Sequence, residues 1–267
     1  MSEYKEYVIL SKKETSLLLK LILIFTILYT FHATLLLDYA WYQLLIPVFI
    51  WYALFIIGQF YFHKFCAYKQ AFEIEFVELS FNRFHLETQS RLTTRRFMSQ
   101  PIDYTLISIT IAVLSIGFII FPTVYSYTHK KIDHLFFGKR KLFEFRQGNL
   151  YPQENTNLRQ SYAFFFSNLY PILWIIVLAQ FKHIDLFQML LVMTITHAFF
   201  NLIPLLPHIG FKYFISHIYL WTASFTLLLI FSLFALFFTS FTAFLIVSFC
   251  CAAIILAIQF VRFTNSI

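Results

Sequence analysis

The strongest constraint on this chain is a recurrence of apolar stretches of about 20 residues, each long enough to cross the hydrocarbon core of a bilayer. They fall near residues 17–37, 43–68, 103–121, 161–181, 185–203, 215–238 and 241–263. Inside a bilayer, only helices and closed barrels satisfy their own backbone polar groups. The expected fold class is therefore an all-α polytopic membrane protein with six to seven transmembrane helices. Composition agrees: 60% of the 267 residues are hydrophobic and only 12% are charged, roughly half the usual charge of a soluble domain.

Residues 1–16 read as a polar N-terminal segment and residues 17–267 as a single membrane domain. Lys12, Lys13 and Lys20 stand at the start of the first run, and no small-residue cleavage site follows it. That run is expected to be a retained helix and not a signal peptide. Glu73-Ile74-Glu75-Phe76-Val77-Glu78-Leu79 alternates charged and apolar residues, which predicts a short β element at the membrane surface. Cys66, Cys250 and Cys251 suit neither a disulfide framework nor a zinc ribbon.

The net charge of +7 points to loops facing anionic lipid, and no nucleic-acid motif accompanies it. The N-terminal lysines and Arg91, Arg95 and Arg96 belong on the cytoplasmic side by the positive-inside rule. The loop 128–159 is equally basic, yet it falls on the opposite side if the run 103–121 spans. Either that run is re-entrant, turning at Pro122, or one loop breaks the rule.

Chemistry is most concentrated at Asn201-Leu202-Ile203-Pro204-Leu205-Leu206-Pro207-His208-Ile209-Gly210, where two prolines interrupt an apolar helix. Opened backbone at membrane depth needs protein or water to satisfy it. On local features alone, a kink packed against neighbouring helices is the favoured account of such a stretch. His197 and Asn201 lie four apart, as do Gln59 and His63, so each pair shares a helix face. Inter-helix hydrogen bonds are the plain role for these groups, and substrate contact the sharper one. His63, His197 and His208 are the candidates for a three-histidine metal site, with zinc the candidate ion.

These pieces occur in an order that resembles the site-2 protease family of intramembrane zinc metalloproteases, in its compact archaeal form. That family carries His-Glu-x-x-His-Lys late in an early helix and Gly-Pro-x-x-Asn in a later one. A third segment, Asn-Leu-Leu-Pro-x-x-Pro-Leu-Asp-Gly, breaks a helix, and its aspartate is the third zinc ligand. Here Gln59-Phe60-Tyr61-Phe62-His63-Lys64 stands at the first motif, and Phe164-Phe165-Phe166-Ser167-Asn168 keeps only the asparagine of the second. The third is matched at Asn201, Leu202, Pro204, Pro207 and Gly210. The resemblance covers residues 58–221 as a core, leaving 222–267 as accessory helices.

The departures carry the functional expectation. Gln59 replaces the first histidine, Phe60 the glutamate and Ile209 the ligand aspartate. Zinc hydrolysis needs a metal-bound water and a carboxylate to handle its proton, and Phe60 and Ile209 supply neither. The resemblance thus implies a catalytically inactive homologue that binds a transmembrane partner segment, with Asn168, Asn201, Pro204 and Pro207 as substrate-contacting residues. It implies no catalytic residue and no cofactor, and a prokaryotic cytoplasmic membrane as the location. Two alternatives stand beside it: an active metalloprotease with a rearranged site, and a small transporter or assembly factor. Partner identity and oligomeric state have no sequence signal.

Overall fold

The computed structural model describes residues 8–37, 39–78, 80–81, 102–115, 117, 120, 122, 125–131, 152–204, 209–238 and 240–265. Helix α1 (Lys12–Leu36) and helix α2 (Trp41–Lys69) form an antiparallel hairpin. Strands β1 (Phe72–Glu78), β2 (Ser80–Phe81) and β3 (Ile102–Asp103) follow, then the short helix α3 (Tyr104–Leu114) and strand β4 (Tyr125–Lys131). Helices α4 (Pro152–Ser167), α5 (Leu169–Gln180), α6 (Asp185–Leu202), α7 (Ile209–Ser216), α8 (Ile218–Phe237) and α9 (Phe241–Asn265) complete the order. Among the described residues, five helices are long and apolar enough to cross a membrane: α1, α2, the α4–α5 segment from Arg159 to Gln180, α6 and α8. The chain is thus a helical integral membrane protein with a small β element.

The polar segment expected at 1–16 ends earlier, because α1 begins at Lys12. Its start is fixed by a capping box. The Ser11 hydroxyl accepts the Glu14 N–H, while Glu14 accepts the Ser11 N–H at 2.7 Å. Glu14 is then drawn inside, 1% exposed. One carboxylate oxygen accepts from Lys64 Nζ at 2.7 Å and the other from the Phe76 N–H at 3.0 Å. Lys64 also donates to the Ile9 carbonyl. A charge in this setting persists only when every bond is met, as here.

β1 and β4 pair antiparallel, from Phe72 opposite Lys131 to Glu78 opposite Tyr125. The period-two pattern at 73–79 therefore does form a strand, and part of the basic loop expected at 128–159 is its partner. β2 and β3 pair in the same sense.

The run expected to be a third spanning helix is not one. α3 has 11 residues, about 16 Å at 1.5 Å per residue, half of what a crossing needs. Its path can be followed along α1. Thr105 at its start donates to Glu78, which also pairs with Lys20. Beyond its end, Gly117 O lies 2.7 Å from His32 Nδ1, near the other end of α1. Gly117 has φ +81, a conformation that favours glycine, and its Cα packs against Phe31 and Leu35. The chain then comes back through Ile120 and Pro122 to Tyr125, whose ring packs on Phe60 and Phe76. The excursion leaves and returns on one side of the bundle, so re-entry is the arrangement observed.

We call that side, which holds the start of α1 and the end of α2, the near side. From there α4–α5 runs down α2: Phe164 meets His63, and Trp174 meets Phe55. α6 returns, α8 descends and α9 returns. The near-to-far-to-near order leaves only short connections at the far end, at residues 37–40, 181–184 and 238–240. At one of them Lys182 donates to the carbonyls of Ala235 and Phe238 at the end of α8. Those carbonyls have no intrahelical partner, so the ammonium serves as a C-terminal cap. Burial lowers its pKa from the ordinary 10.5.

Candidate functional site

The site forms where α2, α4–α5 and α6 meet beneath the near-side β element. Tyr52, Phe55, Gln59 and His63 recur along α2 at spacings of three or four residues, so they share one face of the helix. That face is turned inward because it meets α4, α5 and α6. Phe60 and Lys64 occupy the adjoining face, against β1 and α1.

Each position of the first motif has a specific neighbour. Phe60 is fully buried and stacks on Phe76 with ring centres 4.0 Å apart. Gln59 is 7% exposed, and its Oε1 meets no hydrogen-bond donor among the described residues. His63 is held edge-on between Phe76 at 5.8 Å and Phe164 at 5.1 Å. The Phe164 ring also lies 4.6 Å from Tyr213 of α7, one turn beyond Ile209. A phenyl ring therefore stands between His63 and the helix that Ile209 begins.

The second motif position is a true discontinuity. α4 stops at Ser167, Asn168 forms a turn and α5 starts at Leu169. The helix expected at 161–181 is present as a 22-residue apolar span from Arg159 to Gln180, with a local turn at Asn168 between α4 and α5. Asn168 is buried, its backbone N–H donates to the Phe164 carbonyl at 3.1 Å, and its Nδ2 has no acceptor.

The third motif breaks as expected. α6 stops at Leu202 and α7 begins at Ile209. Pro204 is exposed at the exit. Leu205, Leu206, Pro207 and His208, and the Ile209 side chain, lie outside the described residues. The two helix ends nearly touch: a Cβ on Gly210 would fall 2.6 Å from the Leu202 and Ile203 carbonyl oxygens, so only glycine fits. The opened backbone of α6 is met by Trp221, whose indole N–H donates to Leu202 O at 2.8 Å. Sequence reasoning passed over Trp221, and the only signal available was a tryptophan early in the next apolar run.

His197 is fully buried, and neither ring nitrogen has a partner among the described residues. Its ring abuts Phe55 at 5.0 Å and Tyr52 at 6.1 Å. Asn201, one turn on, is 3% exposed and makes no hydrogen bond of ordinary geometry, although the Tyr125 hydroxyl is near enough for an electrostatic interaction. Burial raises the Tyr125 pKa well above the usual phenol range, so that hydroxyl stays protonated and can donate.

His63 and His197 do not form a pair. Phe55, against which His197 packs, lies eight residues before His63, about 12 Å along α2. Two imidazoles on one zinc each approach it to about 2.0–2.1 Å. Among the described residues no cluster of three or more His, Cys, Asp or Glu is placed to hold a metal. What the geometry does assemble is a set of polar side chains short of partners: the Gln59, Asn168 and Asn201 amides and the His197 imidazole. Each such group costs about 1–3 kcal/mol when its bond stays unmade. The site is chemically a hydrogen-bonding surface inside an apolar bundle.

No family model, curated protein or solved structure matches this chain.

Proposed function

We propose that this protein is a catalytically inactive relative of the site-2 proteases that binds a transmembrane partner segment without cutting it. One observation carries the reading. Aromatic rings fill the space around His63, where hydrolysis would need a metal-bound water, while amides short of partners among the described residues lie on the same helix and its neighbours. Phe60 stacked on Phe76 leaves no carboxylate to take a proton. Gln59, Asn168 and Asn201 instead offer both donors and acceptors, which suit the exposed backbone of a partly unwound helix. The Pro204 exit and the Asn168 turn are the two places where such a segment reaches them. Zinc belongs only to the opposing reading of a rearranged protease.

The test has two parts. Metal analysis of the purified protein is expected to find less than stoichiometric zinc, and reconstituted protein is expected to leave model transmembrane substrates intact. A photocrosslinking amino acid at Asn168 or Asn201 is then expected to trap a membrane protein partner in native membranes, whereas one at lipid-facing Leu229 traps lipid. Stoichiometric zinc, lost together with proteolysis in His63→Ala, overturns the reading. So does equal crosslinking at all three positions.

A further inference from the structure

Thr26 and Thr30 differ from the other threonines inside the helices. Thr110, Thr194, Thr196, Thr222 and Thr226 each donate to the carbonyl four residues back, at 2.7–2.9 Å. That is the ordinary way a threonine settles in an apolar helix. Thr26 and Thr30 are each 3% exposed, yet their hydroxyls have no partner among the described residues. They flank Tyr29 on the buried face of α1. Opposite, on α2, the Trp51 and Tyr52 rings lie 5.7 Å and 5.5 Å from that of Tyr29. The Tyr29 and Tyr52 hydroxyls and the Trp51 indole nitrogen are also buried without a partner among the described residues. Five such groups thus share one helix pair, where lipid offers no substitute bond.

A groove on the lipid side reaches the edge of this cluster at Thr26. Leu23, Thr26, Ile27, Leu45, Ile46 and Phe49 line an open cleft of about 350 Å³ between α1 and α2. Leu23, Ile27 and Ile46 are 60–65% exposed, so they face lipid. Thr26 belongs both to this cleft and to the polar cluster behind it. It lies ten residues before the end of α1 at Leu36, about 15 Å, which is the middle of a hydrocarbon core about 30 Å thick.

We propose that this cleft binds a lipid-soluble molecule with an uncharged, hydrogen-bond-accepting ring as its head and an apolar tail, the chemistry of a prenylated quinone. Depth excludes a phospholipid head, whose charge is costly at the bilayer centre. The Trp51 indole can only donate, and the hydroxyls of Thr26, Thr30, Tyr29 and Tyr52 can donate too, so the head must accept. Ring carbonyls do so, and Thr26, the member of the cluster that lines the cleft, is where the head meets it, with Tyr29, Trp51 and Tyr52 packed behind. The tail lies along Leu23, Ile27, Ile46 and Phe49. A whole helix, about 10–12 Å across, does not fit a cleft of this volume. Tyr52 also abuts His197 of the site described above, but this proposal does not depend on the protease-like reading.

Equilibrium binding of radiolabelled decyl-ubiquinone to the full-length protein in detergent tests the proposal. Saturable binding is expected, weakened tenfold or more in Thr26→Val and Trp51→Phe and unchanged in Thr226→Val. Ile27→Trp, which fills the cleft from its lipid side without entering the core, is expected to abolish binding while the protein keeps its melting temperature. Dioctanoylglycerol is expected not to compete. Absence of saturable binding, equal binding in Thr26→Val and Thr226→Val, or full competition by dioctanoylglycerol overturns it.

Discussion

Glu14 and Lys64 are separated by 50 residues of sequence and joined by one contact of 2.7 Å, 1% and 5% exposed. Removing one partner strands the other charge in an apolar place, so Glu14→Ala or Lys64→Ala is expected to destabilise by about 3–5 kcal/mol. The double replacement Glu14→Leu/Lys64→Met removes both charges and is expected to recover most of that loss. It cannot recover all of it, because the Phe76 N–H loses its acceptor. Unfolding of the purified protein in mixed micelles measures all three, and additive effects of the two single changes would contradict the pairing. None of this was legible in the apolar runs. Ser11-x-x-Glu14 does carry the capping-box spacing, but the spacing does not tell that the carboxylate turns inward. Phe164 was equally hidden, since nothing marks which of 37 phenylalanines separates His63 from α7.

Elements were legible where their period was clean. The first, second, fifth and sixth runs form spanning helices close to their expected bounds. β1 was legible because glutamates alternate with Ile74, Phe76 and other apolar residues. Its partner β4, Tyr-Ser-Tyr-Thr-His-Lys-Lys, has a period of two as well, yet its basic end reads as a solvated loop. α3 was read as too long because apolar residues continue past Leu114, while the turn at Gly117 is a matter of backbone angle and not of hydropathy. One element boundary responds to pH. His217 caps α8 through Nδ1, which accepts the Leu220 N–H at 3.3 Å and so must be unprotonated. Burial lowers the His217 pKa below the ordinary 6.5. The unfolded chain therefore binds the proton first, and the cap's contribution is complete above pH 6.5 and is lost as pH falls from there towards the folded value. A cap of this kind contributes about 1 kcal/mol. The fall in thermal stability on acidification below pH 6.5 is expected to be smaller in His217→Asn, which keeps an acceptor that does not titrate in this range. An identical fall in the variant would assign the effect elsewhere.

For the molecule as a whole, the re-entrant excursion decides which ends share a side. With α3 turning back at Gly117, the start of α1, the end of α2, the end of β4, the start of α4 and the end of α9 all meet on the near side. The conflict between two basic loops then disappears, since 132–151 joins two near-side ends. Charge supports the same partition. Of the 20 lysines and arginines, Lys182 alone falls in the far connections 37–40, 181–184 and 238–240, and it is bound to the end of α8. By the positive-inside rule, this asymmetry predicts that the near side faces the cytoplasm. On that prediction the β element and the Pro204 exit lie on the cytoplasmic side. With Cys66, Cys250 and Cys251 replaced by alanine, single cysteines at Lys69 and Ser11 are expected to react with a membrane-impermeant maleimide only after cells are opened. A single cysteine at Ala40 or Ser240 is expected to react in intact cells. Labelling of Ser11 and Lys69 on opposite sides would break the α1–α2 hairpin, and labelling of a cysteine at His129 from outside would restore α3 as a crossing.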